Sequence, residues 1–307
     1  MKDVSVILVS YKTRDITLNC INSILDKTKD LDYEIILVDN DSRDGTVEAV
    51  MNSFPQVVII ESGSNLGFAG GCNLGSRYAS GKYLLFLNTD TILIENSIKV
   101  MFDFMESNPE YGVIGVVLVD KDDNFVQSWG DFFPVKVGIT EYILKPFLPR
   151  SLKNKFSFKD KKYKDFVRDF FGSQRVVRVD YIIGADMFIR RDIFEKVGGF
   201  DDRFFMYFEE ADLQIRVLRS GYKIGLLGET RIIHLESGSF KVSNHKRIMK
   251  MVSFLKYLKK NFVPYYIVFK PFSIAYAVAK MIYDIFLKEY TFRENLEFLK
   301  SLVFESY

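Results

Sequence analysis

The first ninety residues alternate short apolar, β-branched runs with segments whose apolar positions recur every three or four residues. Val4 to Val9 has the pattern of a strand buried on both faces, and Ser10 ends it. Asp15 is placed to cap a helix whose apolar positions are Leu18, Ile21 and Leu25. Glu34 to Val38 repeats the strand pattern, and Ser42 and Asp44 are candidate caps for a helix through Val47, Val50 and Met51. Val57 to Ile60 predicts a third strand, Gly70 to Ala79 a third helix closed by Gly81, and Tyr83 to Leu87 a fourth strand. Such alternation predicts an α/β fold with a parallel sheet, right-handed crossovers and ligands at the sheet's C-terminal edge. From Val113 to Ile189 the pattern changes to mixed strands and loops, and beyond Lys241 it reads as helical. The expected division is one domain over residues 1–240, with halves 1–112 and 113–240, followed by a helical extension over 241–307.

Polar clusters fall where that architecture puts a ligand. Ser10-Tyr11, Asp39-Asn40-Asp41, Asn65 to Gly71 and Asn88-Thr89-Asp90 each follow a strand, and folding alone does not require four such clusters. Asp90 brings a carboxylate to the sheet edge, where it can bind a metal. Glu209-Glu210-Ala211-Asp212 follows the aromatic run Phe204 to Phe208 and reads as a helix start presenting carboxylates, one of which can take a proton. A metal ligand, a base and a nucleotide-type sheet together point to transfer of a group from a nucleotide donor. Blander roles stand beside these. Glu209 and Glu210 suit a helix N-terminus electrostatically, Asp212 is spaced to pair with Arg216, and His234 on its own is more often structural than a ligand. Gly67-Phe68-Ala69-Gly70-Gly71 is not the dinucleotide fingerprint and no Walker loop occurs, which removes the usual support for a dehydrogenase or an ATPase.

Composition narrows the picture further. With 307 residues and 48% hydrophobic content the chain can bury one large domain or two. Its 42 basic and 40 acidic residues offer no electrostatic case for a nucleic-acid partner. Cys20 and Cys72 lie in predicted helices and read as free thiols of a reducing compartment. The chain enters its first strand directly after Met1-Lys2-Asp3, without a signal sequence, so a cytoplasmic location is expected. Arg150 to Arg178 holds ten Lys or Arg against three Asp, an exposed insertion or a surface for phosphate or anionic lipid. The tail from Asn261 to Phe292 is crowded with Phe and Tyr, yet Lys270 and Lys280 leave no uncharged stretch longer than nine residues. Spanning a membrane needs about 20 apolar residues. Lying in a membrane interface, packing on another subunit and packing on the chain's own core all stay open for this tail.

The ordered motifs resemble family 2 glycosyltransferases of the GT-A fold, in their rhamnosyltransferase-like branch. Val6 to Tyr11, Val38 to Ser42 with Asp44-Gly45-Thr46, Asn65 to Asn73 and Leu87 to Asp90 are similar to the donor half of that family. Tyr181 to Met187, Gly198-Gly199-Phe200-Asp201, Phe208 to Asp212 and His234 are similar to its acceptor half. The likeness covers roughly residues 1–245. It implies a Rossmann-like nucleotide-binding sheet joined to a mixed acceptor-side sheet, and an inverting, metal-dependent enzyme. The donor would be a nucleoside-diphosphate sugar (dTDP-rhamnose or a UDP-sugar), and the acceptor a cell-envelope glycan or its polyprenyl-linked precursor. The resemblance assigns donor contacts to Ser10, Tyr11, Asp39, Asn40, Asp41, Asn65, Gly67, Gly70, Asn73, Asn88 and Thr89. Among these Tyr11 offers a face to the base, Asp39 accepts from the base N3–H, and Asn73 donates from its side chain. Asp90 and His234 would hold Mg²⁺ or Mn²⁺, Glu210 would be the base beside Glu209 and Asp212, and Gly184, Ala185 and Asp186 would meet the acceptor. The chain departs from the family pattern with Asn88 where Asp is common, Glu210 where Asp is usual, and Glu236 after His234. An anionic membrane surface and a second subunit are further candidate partners, with the inner face of the plasma membrane as the expected location. Two rivals are a sugar nucleotidyltransferase, which usually needs a basic Gly-rich loop that Ser10-Tyr11-Lys12-Thr13 does not supply, and a silent glycan-binding scaffold.

Overall fold

Alternation of strand and helix is realised in the computed structural model, which describes residues 2–132, 170–171, 176–235, 244–287 and 290–306. Most of the basic stretch from Arg150 to Arg178, and Glu236, lie outside the described residues. The first elements are β1 (Val4–Ser10), α1 (Arg14–Lys27), β2 (Tyr33–Asp39), α2 (Thr46–Ser53), β3 (Val58–Glu61), α3 (Gly67–Ser76) and β4 (Tyr83–Asn88). Then come β5 (Thr91–Leu93), α4 (Ser97–Ser107), β6 (Tyr111–Val119), β7 (Trp129–Gly130), β8 (Val176–Arg178), β9 (Tyr181–Ile182) and β10 (Asp186–Arg190). Helices α5 (Arg191–Lys196) and α6 (Glu209–Arg219) precede the long strand β11 (Lys223–His234).

The main sheet runs β3-β2-β1-β4-β10-β6-β11-β5, with β8 alongside β11. Strands β1 to β4 are parallel to one another, as the crossovers demand, while β10 is antiparallel to both β4 and β6. This antiparallel strand joins the nucleotide-type half to the mixed half. It also starts where β4 stops, since Asp186 pairs with Leu87. The segment before β10 therefore meets the turn after β4 at one edge of the sheet. Strand β11 has a register irregularity between Leu227 and Arg231, beyond which it lies between β6 and β5 and carries His234 opposite Thr91.

Several local expectations are corrected. Thr13, not Asp15, is the N-cap residue of α1, and Asp15 sits exposed in the first turn, paired with Arg14. Helix α3 starts at Gly67, three residues earlier than its periodicity predicts, because Gly67 takes a left-handed φ of +73° that opens the turn. Met51 on α2 is exposed, not part of the apolar face. Gly81 does not close a helix. A Cβ there would come within 2.4 Å of the Ser5 nitrogen, and its own N–H donates to Ser5 Oγ at 2.8 Å. Gly71 and Gly75 have a packing reason too, since a Cβ on either would stand 2.7 Å from Val9 or Ile7 of β1. These glycines let α3 lie close on the sheet.

By contact density the chain divides into two compact units. One takes the described residues of Met1–Phe132, Asp160–Arg203 and Glu209–Gly238; the other takes Phe204–Phe208 and the described residues of Ser239–Tyr307. The second unit contains α7 (Asn244–Asn261), α8 (Val263–Leu287) and α9 (Phe292–Phe304), the last closed at its start by a Thr291–Glu294 capping box. Within this unit the Phe208 ring packs 5.5 Å from Phe254 and 5.4 Å from Tyr257, and Ser253 Oγ donates to the Met206 carbonyl at 2.8 Å. These contacts hold Tyr207 and Phe208 at φ of +73° and +69°, a region that costs free energy for side chains of this size. Arg247 stacks over Tyr290 at 4.2 Å and Phe298 at 4.0 Å. Among the described residues no helix is long and apolar enough to cross a membrane.

Candidate active site

Three strand ends lie side by side at the C-terminal edge. Ser10 of β1 pairs with Asp39 of β2, and Val9 pairs with Asn88 of β4, so the polar clusters form one rim. Asp39 is 4% exposed; its Oδ2 accepts from the Ser42 N–H at 3.0 Å, while Oδ1 is buried without a hydrogen-bond partner among the described residues. A buried acceptor atom of this kind is equipped to take an N–H from a ligand. Tyr11 is half-buried beside it, with Lys12 Nζ 5.2 Å from the ring centre. Asp41 adopts a left-handed φ of +62° and pairs with exposed Arg43, the geometry of a turn residue.

Other residues of the rim are already committed to the fold. Ser10 is buried and shares hydrogen bonds with Thr13 at 3.2 Å and Thr17 at 3.1 Å, so its hydroxyl sits inside the rim and does not point out of it. Thr89 approaches the same cluster, 3.4 Å from Thr13. Asn40 donates to Asn65 Oδ1 and to the Gly67 carbonyl, each at 3.0 Å, and accepts from the Leu66 N–H, so it shapes the 65–67 turn. Asn65 in turn accepts from the Gly67 N–H at 3.0 Å. Asn73 makes a two-way clamp on Phe200, donating to its carbonyl and accepting from its N–H, both at 2.9 Å. Both ends of that amide are thereby taken by backbone, and Asn73 ties α3 to the Gly198–Phe200 turn. A Cβ on Gly70 would meet Leu66 at 2.8 Å, so this glycine serves the turn's own packing.

Strand β11 delivers the histidine. The Leu235 N–H donates to the Asp90 carbonyl at 2.9 Å, and His234 Nε2 lies 3.2 Å from Asp90 Oδ1, with both side chains mostly buried. Adjacent ligands on an octahedral Mg²⁺ or Mn²⁺ ion with bonds of about 2.1 Å stand about 3.0 Å apart. The pair therefore fits two neighbouring coordination positions. Among the described residues no group of three or more His, Cys, Asp or Glu gathers to hold a metal. Beneath the turn, the Cys20 Sγ is 3.7 Å from the Asn88 carbonyl and from Thr91 Oγ1. Burial pushes its thiol up to about 12, which keeps it protonated.

Asp186, expected at the acceptor, is fully buried. Its Oδ2 accepts from the Val116 N–H at 2.6 Å, Oδ1 has no hydrogen-bond partner among the described residues, and burial raises the carboxyl to about 7 against the pull of Val116 and His234. Ala185 is buried as well, and its carbonyl accepts from the Asn88 N–H at 2.9 Å. Of the three, Gly184 alone is partly exposed. A Cβ there would lie 3.4 Å from the Phe68 ring and 3.9 Å from Glu210 Cβ, so the donor-side turn, the strand before β10 and the start of α6 converge on this glycine. Phe68 went unnoticed in the sequence because an aromatic beside glycines reads as turn packing.

The three acids of α6 separate by environment. Asp212 is fully buried and pairs with Arg216 at 2.9 Å, while Arg216 also donates to the Val197 carbonyl, which makes it the structural ion pair that the spacing allowed. Glu209 is 4% exposed, and burial followed by the charge of Glu210 holds its carboxyl well above the usual range. Glu210 is half-buried, and its Cβ lies 3.9 Å from where a Cβ on Gly184 would stand. Gln214, a residue that sequence reasoning missed, donates to the Ile182 carbonyl at 2.7 Å and the Glu210 carbonyl at 3.2 Å, and accepts from the Ile182 N–H. Its signal was a polar residue one turn after Glu210 on the buried side of α6.

A parallel nucleotide-type sheet, an antiparallel strand leading into a mixed half, and acids at the junction define a glycosyltransferase of the GT-A fold. The crystal structure of GalNAc-T7 with UDP, GalNAc and Mn²⁺ shares that fold with a TM-score of 0.59 at 14% identity, over 84% of this chain and 48% of that one. The profile of Glycosyl transferase family 2 matches residues 5–198, and the chain belongs to this family. Two curated relatives are similar to it at greater length. N-acetylglucosaminyl-diphospho-decaprenol L-rhamnosyltransferase of Mycobacterium tuberculosis is 26% identical over 216 residues, 67% of each chain. Rhamnosyltransferase WbbL of Escherichia coli is 26% identical over 239 residues, 75% of this chain and 83% of that one.

Proposed function

We propose that the enzyme moves a sugar, rhamnose from dTDP-rhamnose, onto a polyprenyl-diphosphate-linked glycan of the cell envelope, with inversion at the anomeric carbon. The observation that carries this reading is the Asp90–His234 pair, 3.2 Å apart on the rim formed by β1, β2 and β4. The rhamnosyl donor and lipid-linked acceptor are supported by the two relatives' names; the UDP in GalNAc-T7 supports a UDP-sugar as the alternative donor. In this reading residues 1–112 hold the donor, 113–240 the acceptor, and 241–307 form a helical extension, with the enzyme working at the inner face of the plasma membrane.

The chain's own groups account for binding and proton transfer. Asp39 Oδ1 accepts the base N3–H, and the Tyr11 ring covers the base. The turn at Asn65 to Gly67, held by Asn40, sets the backbone that faces the ribose and diphosphate. Asp90 and His234 would hold a Mg²⁺ or Mn²⁺ ion, which when bound supplies positive charge to the departing diphosphate. Glu210 takes the proton from the acceptor hydroxyl as its oxygen forms the bond to the anomeric carbon and the carbon–diphosphate bond breaks on the opposite face. Beside it, burial and the charge of Glu210 favour the protonated form of Glu209. Gln214 fixes the Glu210 carbonyl against Ile182, and Gly184 leaves the space in which the hydroxyl would sit.

The test is a thermal-shift screen of the whole chain against dTDP-rhamnose and a set of UDP-sugars, with and without Mn²⁺, followed by determination of the product's anomeric configuration. A donor at a hundredfold excess over its dissociation constant stabilises the fold by about 2.7 kcal/mol. Stabilisation by dTDP-rhamnose, dependent on Mn²⁺, is expected. The absence of any shift with every nucleotide-sugar overturns the reading.

A further inference from the structure

Helix α8 is apolar on its solvent-facing side as well as its buried one. It is 25 residues long, and Val263, Ile267, Val268, Phe272, Val278 and Ile282 are between 39% and 64% exposed. Every other exposed position described on this helix is Pro or Ala. Its opposite face buries Phe269, Tyr276 and Ala277, and its two lysines are kept off the outer stripe: Lys280 is buried and Lys270 pairs with Glu305 at 2.6 Å. An ordinary surface helix shows charged residues to water and apolar ones to the core. Here both faces are apolar, and Val303 and Phe304 at the end of α9 are exposed as well.

We propose that this face of α8 is seated on an anionic lipid bilayer, lying in the headgroup region and not crossing it. The proposal deepens the lipid-linked acceptor reading and rests on it for the choice of leaflet. Three observations favour lipid over a protein partner. The first is charge. Residues 241–307 carry twelve Lys and Arg against five Asp and Glu, although the whole chain is only +2, so positive charge is concentrated in this unit and the remainder is net acidic. An anionic surface attracts such a unit, whereas a symmetric dimer through the same face would bring two strongly basic surfaces together. The second is Pro271, which stands exposed within α8 and has no N–H for the Ile267 carbonyl. A carbonyl that has lost its helical N–H can be met by water, which the headgroup region supplies and a dry protein interface does not. The third is shape. Tyr266, Ile267, Lys270, Pro271, Ile274 and Ala275 line an open, apolar groove of about 590 Å³, a form that a fluid acyl chain fills without a matching partner surface.

Flotation of the full chain with phosphatidylcholine vesicles, with and without a quarter of phosphatidylglycerol, tests this. The wild type is expected to float with the anionic vesicles, more weakly with neutral ones, and to be released only in part by 0.5 M salt, since salt screens the charge but not the apolar contact. The double variant Ile267→Ser/Phe272→Ser is expected to partition roughly 100-fold more weakly while keeping the wild-type melting temperature, because both side chains are exposed. Wild type that stays in solution with anionic vesicles overturns the proposal. Equal flotation of the double variant, or of the wild type with neutral vesicles, does the same. So does a wild-type dimer in light scattering that the double variant converts to monomer, which makes the face a subunit interface. Nucleotide-sugar thermal shifts run on the same samples report separately on the donor reading, since vesicle binding needs no donor.

Discussion

Asp90 and Glu209 are both acids at the end of a secondary-structure element, and both are largely withdrawn from water, yet their surroundings are opposed. Asp90 stands 3.2 Å from the His234 imidazole, a group that can share a cation with it. Glu209 stands beside another carboxylate, Glu210, in a buried pocket that raises its pKa. Burial and a neighbouring like charge both favour the protonated form of a carboxyl, which is the direction in which Glu209 is shifted. The same residue type thus stands beside an imidazole at one place and beside a like charge at the other, and the difference lies in the neighbour.

The strongest way to break this contrast is to remove the acid beside the imidazole. Asp90→Ala should lower kcat/KM by roughly 10³-fold or more, the scale of losing preorganised charge at a leaving group, while the melting temperature of the ligand-free enzyme stays close to wild type. Chelation of the wild type should have a similar effect, reversed by Mn²⁺. Full activity in EDTA would remove the metal from the site. Next in size is the base. Glu210→Gln should retain donor-induced stabilisation and lose roughly 10²–10⁴-fold in turnover, with a smaller loss for Glu209→Gln. Reversal of that order would move the base by one residue.

The smallest effect sharpens the comparison through pH. The folded-state pKa of Glu209 lies above its ordinary 4.5, so the folded protein holds this proton after the unfolded chain has released it. Its contribution is therefore complete below about pH 4.5 and declines as the pH rises towards the folded value. Urea unfolding at pH 5 and pH 8 should show the wild type losing more stability across this interval than Glu209→Gln does. Equal slopes would mean that Glu209 is ionised in the fold, and the distinction between the two acids would collapse.

What the sequence by itself determined is local. The β-branched runs of β1, β2 and β4 and the helical spacing of α1 are short-range patterns, and they place Asp39, Asp90 and Glu209–Glu210 at element ends without reference to the rest of the chain. Motif order also sufficed for the family. Tertiary structure decided which side chains are left to meet a ligand. Asn40 and Asn73 look like donor contacts in the sequence but hydrogen-bond to the backbone at 65–67 and at Phe200, because neighbouring elements bring unpaired N–H and C=O groups to them. Asp186 is buried by β10 inserting between β4 and β6, a pairing that no local period encodes. His234 reaches Asp90 only through the β11–β5 ladder, and Asp212 reads as structural once Arg216 is seen closing on it. The outer face of α8 belongs to the same class. Its aromatic and aliphatic residues are plain in the sequence, but which of them face outward depends on how α7 and α9 pack against the helix, since periodicity gives a face its composition and only the neighbours decide whether water sees it.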